Sequence, residues 1–114
     1  MPVNLEPEGK MMPKAYWIAH VTVKDPEKYK EYVSLNAIPF KKYKAKFLAR
    51  GGKHEIRKGA DRERHVILEF ENYEVAKACY DSPEYKAAEA VRDQAADVDV
   101  LILEGYDGPQ PGQS

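Results

Sequence analysis

Cysteine is almost missing from this sequence. Cys79 stands alone among 114 residues, so no intramolecular disulfide can staple the fold. Its helical spacing from Ala76 and its neighbour Tyr80 suit a small buried hydrophobe, the usual fate of a lone thiol. Long apolar runs are missing too, and nothing approaches the ~18 residues that span a bilayer. The stretch Met1-Pro2-Val3-Asn4-Leu5-Glu6-Pro7-Glu8 lacks the charged and apolar regions of a signal peptide. A cytoplasmic protein with no membrane partner is the expectation. An excess of one charge is the third absence, because 18 Lys and Arg meet 19 Asp and Glu, which provides no global field toward nucleic acid or anionic lipid. The sequence also offers no Ser-His-Asp ordering, no glycine-rich phosphate loop, no Cys-x-x-Cys and no EF-hand, and no cofactor is expected.

The charge that is present is unevenly spread. Residues 41–58 carry eight Lys or Arg against one Glu, whereas residues 69–107 carry eleven acids against three bases. A solvated surface is the plain reading of that asymmetry, and steering between two copies is the alternative.

The most strand-like run is Arg64-His65-Val66-Ile67-Leu68-Glu69-Phe70. Alternation puts Val66, Leu68 and Phe70 on one side and His65, Ile67 and Glu69 on the other. Ala15 to Val23 alternates likewise, with Trp17, Ala19, Val21 and Val23 opposite Tyr16, Ile18, His20 and Thr22. Asp25-Pro26-Glu27 then starts a helix: the Asp caps, the Pro loses no bond at the first position, and the Glu faces the positive dipole end. Tyr29, Tyr32, Val33, Asn36, Phe40 and Tyr43 form its buried stripe, and Pro39 is expected to break or kink it.

Lys46 to Arg50 reads as a short strand, and Gly51-Gly52 as a bulge or bend before Lys53-His54-Glu55-Ile56-Arg57, giving a hairpin into the strand at 64–70. Asn72 caps a short helix over Tyr73 to Tyr80, and Ser82-Pro83-Glu84 repeats the earlier helix start for a piece reaching about Gln94. A last strand is expected from Asp97 to about Tyr106, apolar on both faces at its centre. Residues 1–13 read as a disordered leader, 14–106 as the domain and 107–114 as a flexible tail.

Strand, helix, strand, strand, helix, strand is the ferredoxin-like βαββαβ order of an α+β fold: a four-stranded antiparallel sheet with its helices on one face. The other face would show Tyr16, Ile18, His20, Ile67, Leu101 and Leu103, too much apolar surface for a free monomer. A homodimer that pairs these open faces into an α/β barrel is therefore expected.

At these residues the chain resembles a known family, domain of unknown function 1330 (DUF1330), within the dimeric α/β-barrel superfamily. The resemblance spans roughly Met12 to Gly105. It is carried by Tyr16-Trp17-Ile18 leading to Asp25-Pro26-Glu27 and Tyr29, by Leu48-Ala49-Arg50-Gly51-Gly52, by the run 64–70, by Cys79-Tyr80-Asp81-Ser82-Pro83-Glu84-Tyr85, by Arg92 and by Glu104-Gly105. It implies the fold and the dimer, and brings no reaction with it.

Three groups of residues are candidates for chemistry. His65, His20 and Glu69 share the open side and could work as an acid–base set; their spacing matches no metal motif, and a polar network satisfied within a dimer interface is the alternative. Arg50 beside Gly51-Gly52 could clamp a carboxylate or phosphate, or pair with an acid of the C-terminal half; Arg92 invites the same two readings, with the salt bridge favoured. Tyr80, Ser82 and Tyr85 surround a helix N-terminus that could receive a polar ligand, or Ser82 simply caps. Asn36 could line a pocket between helix and sheet.

Two functions compete. One is a cofactor-independent enzyme on a small organic acid or aromatic, positioned by Arg50 and deprotonated or polarised by His65 or His20. The other is a non-catalytic dimer that binds a small molecule or serves as an interaction module. RNA binding ranks last: that face offers Tyr16 and Ile67 where stacking aromatics are needed, and Glu69 would repel phosphates. No nucleic acid partner is expected.

Overall fold

The computed structural model describes residues 12–113. The expected leader falls mostly on residues 1–11, outside the described residues. The chain folds as β1 (Ala15–Val23), α1 (Pro26–Lys42), β2 (Lys46–Arg50), β3 (Arg64–Phe70), α2 (Tyr73–Asp81), α3 (Pro83–Ala95) and β4 (Ala96–Glu104). The strands form one sheet in the order β2-β3-β1-β4 with antiparallel pairing throughout. This is the ferredoxin-like α+β architecture, with all three helices contributing to the core on one side of the sheet.

Local chemistry sets the helix starts. The Asp25 carboxylate accepts from Lys28 N at 3.1 Å, Asn72 caps through Val75 N at 2.9 Å, and Ser82 Oγ accepts from Tyr85 N at 3.1 Å; each satisfies an N–H that the first turn leaves without a carbonyl.

Trp17 is the centre of the core. Phe40, Phe70, Tyr80 and Tyr85 all have ring centroids within 5.3 Å of it, and its indole Nε1 donates to Ala76 O at 2.9 Å. That bond ties β1 to α2 and satisfies the buried indole N–H.

Three expectations need correction. Pro39 does not end its helix; α1 runs on to Lys42. Pro39 is almost fully buried, and its carbonyl faces the Cys79 thiol at 3.8 Å. The ring fills core space near the helix end, which offsets one lost backbone bond. Residues 53–57 form no strand; a loop covers 51–63. Gly51 has φ +66, turning the chain away from the sheet, and its N–H bonds His65 O at 2.9 Å as the last tie to β3. The irregularity of the hairpin sits one step earlier, where the register shifts between Phe47 and Ala49. Finally, β4 stops at Glu104. Gly105 N donates to Lys14 O at 2.7 Å, and a Cβ at Gly105 would meet that same carbonyl at 2.9 Å, so only glycine lets the strands close here.

The open face is organised in rows. Glu69, Tyr16 and Leu103 lie side by side, then Ile67, Ile18 and Leu101, then His65, His20 and Asp99. Leu101 and Leu103 are 47% and 50% exposed. Water meets two leucines on an otherwise half-apolar sheet.

Candidate functional site

The helix stripe and the sheet face do not close completely on each other. Tyr29, Tyr32, Val33, Asn36 and Phe40 of α1 look across a cleft at Trp17 and Ala19 of β1, at Arg64 and Val66 of β3, and at Phe47 and Arg50 of β2. Strand parity explains the lower wall: Arg64 shares the Val66–Leu68–Phe70 side, and Arg50 pairs with Val66 in register, so both guanidiniums belong to the helix side. The space that the centre of a water can reach is about 40 Å³, enough for a few waters at most until side chains move.

The polar groups of this cleft fall into two sets. The first satisfies itself. Arg92, 7% exposed, donates through Nη1 to Tyr85 Oη at 3.1 Å, Tyr85 and Tyr32 hydroxyls meet at 2.7 Å, and Arg92 pairs with Asp93 at 2.9 Å and Glu89 at 3.3 Å. Burial, helped by Tyr32, pushes the Tyr85 hydroxyl well above the ordinary phenol range, so it stays protonated. Burial also raises Tyr29, with the nearby Arg64 charge opposing it. When Tyr85 accepts from Arg92 and donates to Tyr32, the Tyr32 proton is left to point into the cleft.

The second set is less complete, although the Arg64 guanidinium lies beside the Tyr29 hydroxyl. Asn36 is 7% exposed and lines the cleft, and its amide makes no hydrogen bond among the described residues. Arg64 Nε is buried with no acceptor. Arg50 is exposed at the rim, its guanidinium stacked over Phe47 at 4.1 Å from the ring centroid. Neither Arg50 nor Arg64 has an acid partner among the described residues. The expected alternative for Arg50, a salt bridge to the C-terminal half, is therefore replaced by stacking.

The sheet separates this cleft from the histidines. His20 and His65 face each other on the open side, Nδ1 to Nδ1 at 2.8 Å, and His54 from the 51–63 loop joins them, its ring 4.5 Å from that of His65. Glu69 lies four residues up β3 from His65, ~13 Å along the strand, and does not meet the pair. A single site using Arg50 together with His65 or His20 is thus corrected: within one chain they lie on opposite faces. Among the described residues no group of three or more His, Cys, Asp or Glu has the arrangement of a metal site.

Ser82 donates its one proton to Cys79 O at 2.7 Å and caps Tyr85 N at 3.1 Å, so it has no proton left to give a ligand. Tyr80 lies beside the Arg92 guanidinium, 3.4 Å from it, and packs on Trp17. Of the residues named from sequence, Asn36, Arg50, Tyr85 and Arg92 line the cleft together. Arg64 and Tyr32 were missed as polar contributors. Arg64 gave a readable signal, an arginine on the apolar parity of β3; His54 gave none, because a loop carries no parity.

A family model described as domain of unknown function (DUF1330) matches residues 14–106. The chain belongs to the DUF1330 family. Solved structures share the fold at low identity. A protein of unknown function from Rhodopseudomonas palustris is 15% identical, with 84% of this chain and 85% of that one covered and a TM-score of 0.69. A dimeric ferredoxin-like protein of unknown function from Thermobifida fusca is 14% identical over 92% of this chain and all of the other (100%), TM-score 0.57. SnoaB, a cofactor-independent oxygenase from Streptomyces nogalater, is 8% identical over 84% and 96%, TM-score 0.55. No curated protein matches this DUF1330 chain. None of its helices, among the described residues, is long and apolar enough to cross a membrane.

Proposed function

We propose that this DUF1330 protein is a homodimer that takes a compact organic molecule into the cleft between α1 and the sheet of each subunit. The observation that carries the reading is Asn36: a residue 7% exposed whose amide makes no hydrogen bond among the described residues, in a cleft walled by aromatic rings. Buried amides normally find partners, and a pocket with a few convergent polar groups on an apolar wall is the usual form of a small-molecule site. Self-association is supported by the exposed Leu101 and Leu103 on the open face and by the dimeric description of the Thermobifida neighbour; burying leucines at ~25 cal/mol per Å² drives such pairing.

The test has two arms. Screening small aromatic and aliphatic compounds by thermal shift should yield stabilising ligands for the wild-type chain and none for Ala19→Phe, which fills the cleft. Equal shifts in both proteins would remove the cleft reading. Sedimentation should give dimers that Leu101→Asp with Leu103→Asp converts to monomers; folded wild-type monomers at micromolar concentration would remove the dimer.

Catalysis without a cofactor is a second reading, favoured by the hydroxyl chain Arg92, Tyr85, Tyr32, which could present a proton to a bound molecule. SnoaB, described as a cofactor-independent oxygenase, has the same fold. Oxygen uptake by the purified dimer with cleft-binding aromatics, lost in Tyr32→Phe while binding persists, would support it; no turnover with any bound compound would leave binding as the function.

A further inference from the structure

We infer that the molecule received by the cleft is an organic carboxylate, its charge held by Arg64 and Arg50 with Asn36, and its body lying on Trp17, Phe40 and Phe47. This rests on the cleft reading above and narrows it to one class of ligand.

The charges that line the cleft are unbalanced. Arg50, Arg64 and Arg92 all line the cleft, and no Asp or Glu does. Arg92 has its acids, Asp93 and Glu89, together with the Tyr85 hydroxyl. Arg64 has none. The acid next to it in sequence is committed elsewhere: Glu63 Oε1 accepts from Val23 N at 3.2 Å. A guanidinium Nε kept from water without an acceptor is unfavourable unless something supplies the acceptor.

The backbone is shaped to keep Arg64 there. Gly51 adopts φ +66, and a Cβ on it would lie 2.8 Å from Arg64 Nη1 and 3.0 Å from its Cζ, so the missing side chain leaves the room the guanidinium occupies. Arg50 closes the rim through its stacking on Phe47 and can swing from ring to ligand without breaking any ion pair. Two flat guanidinium forks and a flat amide match the planar acceptor geometry of a carboxylate. The rest of the wall is ring and aliphatic surface, which suits a flat apolar body and excludes a heavily hydrated polyanion.

Binding to the 114-residue chain is measured by calorimetry and by Trp17 fluorescence, the single tryptophan being in the cleft wall. The probes are benzoate, butyrate, neutral benzamide and inorganic phosphate. Benzoate is expected to bind at least ~10-fold tighter than benzamide, the factor a charge-assisted hydrogen bond confers, and phosphate not at all. Arg64→Met, which keeps the aliphatic stem, should weaken benzoate ~10- to 100-fold and leave benzamide unchanged; Arg50→Met should weaken benzoate less, and serves if Arg64→Met melts below the assay temperature. Equal affinity for benzoate and benzamide, indifference of benzoate to both arginine variants, or preference for phosphate would overturn the carboxylate assignment and leave the cleft reading intact. Failure of every probe, with neutral compounds still stabilising the wild-type chain and not Ala19→Phe, would overturn it in the same way.

Discussion

His20 and His65 are bound to each other across β1 and β3, Nδ1 to Nδ1 at 2.8 Å. One ring must donate and the other accept, so each fixes its neighbour's tautomer. The sheet lies between this pair and the cleft. His20→Ala should therefore lower unfolding stability by about 1 kcal/mol, the usual net worth of a hydrogen bond, and leave cleft binding untouched. Chemical denaturation alongside a cleft-ligand titration checks both halves; a change in ligand affinity would contradict the separation.

Tyr85→Phe strips Arg92 and Tyr32 of a common partner. Tyr85 is only 2% exposed, so water cannot replace the hydroxyl, and the loss is expected at about 1–3 kcal/mol. Tyr32→Phe should cost less, since Arg92 keeps its acceptor. A double-mutant cycle of the two should show coupling of at least ~0.5 kcal/mol, because the pair shares one bond of 2.7 Å; additive effects would deny that bond.

Gly51→Ala should act twice. The φ of +66 imposes about 1–2 kcal/mol on any residue with a Cβ, which is read as a lowered denaturation midpoint. The same Cβ displaces the Arg64 guanidinium, so anion affinity should fall further than stability alone explains. Gly52→Ala, where a Cβ meets nothing within 4 Å, is the control.

Cys79 is buried, and burial pushes its thiol up to about 12 from 9.0. The folded state therefore holds the proton more tightly than the unfolded one. Stability from this group is fully present below about pH 9 and is lost as pH rises from about 9 toward 12. Alkali denaturation of wild type against Cys79→Ala should show a shallower decline in the variant over that window. Native Cys79 should resist iodoacetamide at pH 8 and react once the chain is unfolded.

Much of this architecture was readable because its causes are local. Asp25-Pro26-Glu27 and Ser82-Pro83-Glu84 start helices by chemistry confined to a few residues, and strand alternation assigned Trp17 and Val66 to the covered face and His20 and His65 to the other. Pro39 misled because its helix-breaking tendency is local, while the space it fills beside Cys79 is made by residues forty positions away. The hairpin expectation carries the strand past a bend at Gly51-Gly52 into residues 53–57; the positive φ of Gly51 turns the chain into a loop instead. The cleft was half legible. Asn36 stood out as an amide on an apolar stripe, and Arg50 by its glycines, but that Arg50 and His65 occupy opposite sides depends on the register shift between Phe47 and Ala49, which no sequence pattern announces.

The bond from Gly105 to Lys14 brings the start of β1 and the end of β4 within one hydrogen bond of each other. Strand ends so placed can be joined directly by a short linker, and the domain reopened elsewhere. A circular permutant cut in the 51–63 loop would keep every strand neighbour of the sheet, and would put the new free end beside Arg64, where a reporter dye could sense the mouth of the cleft directly.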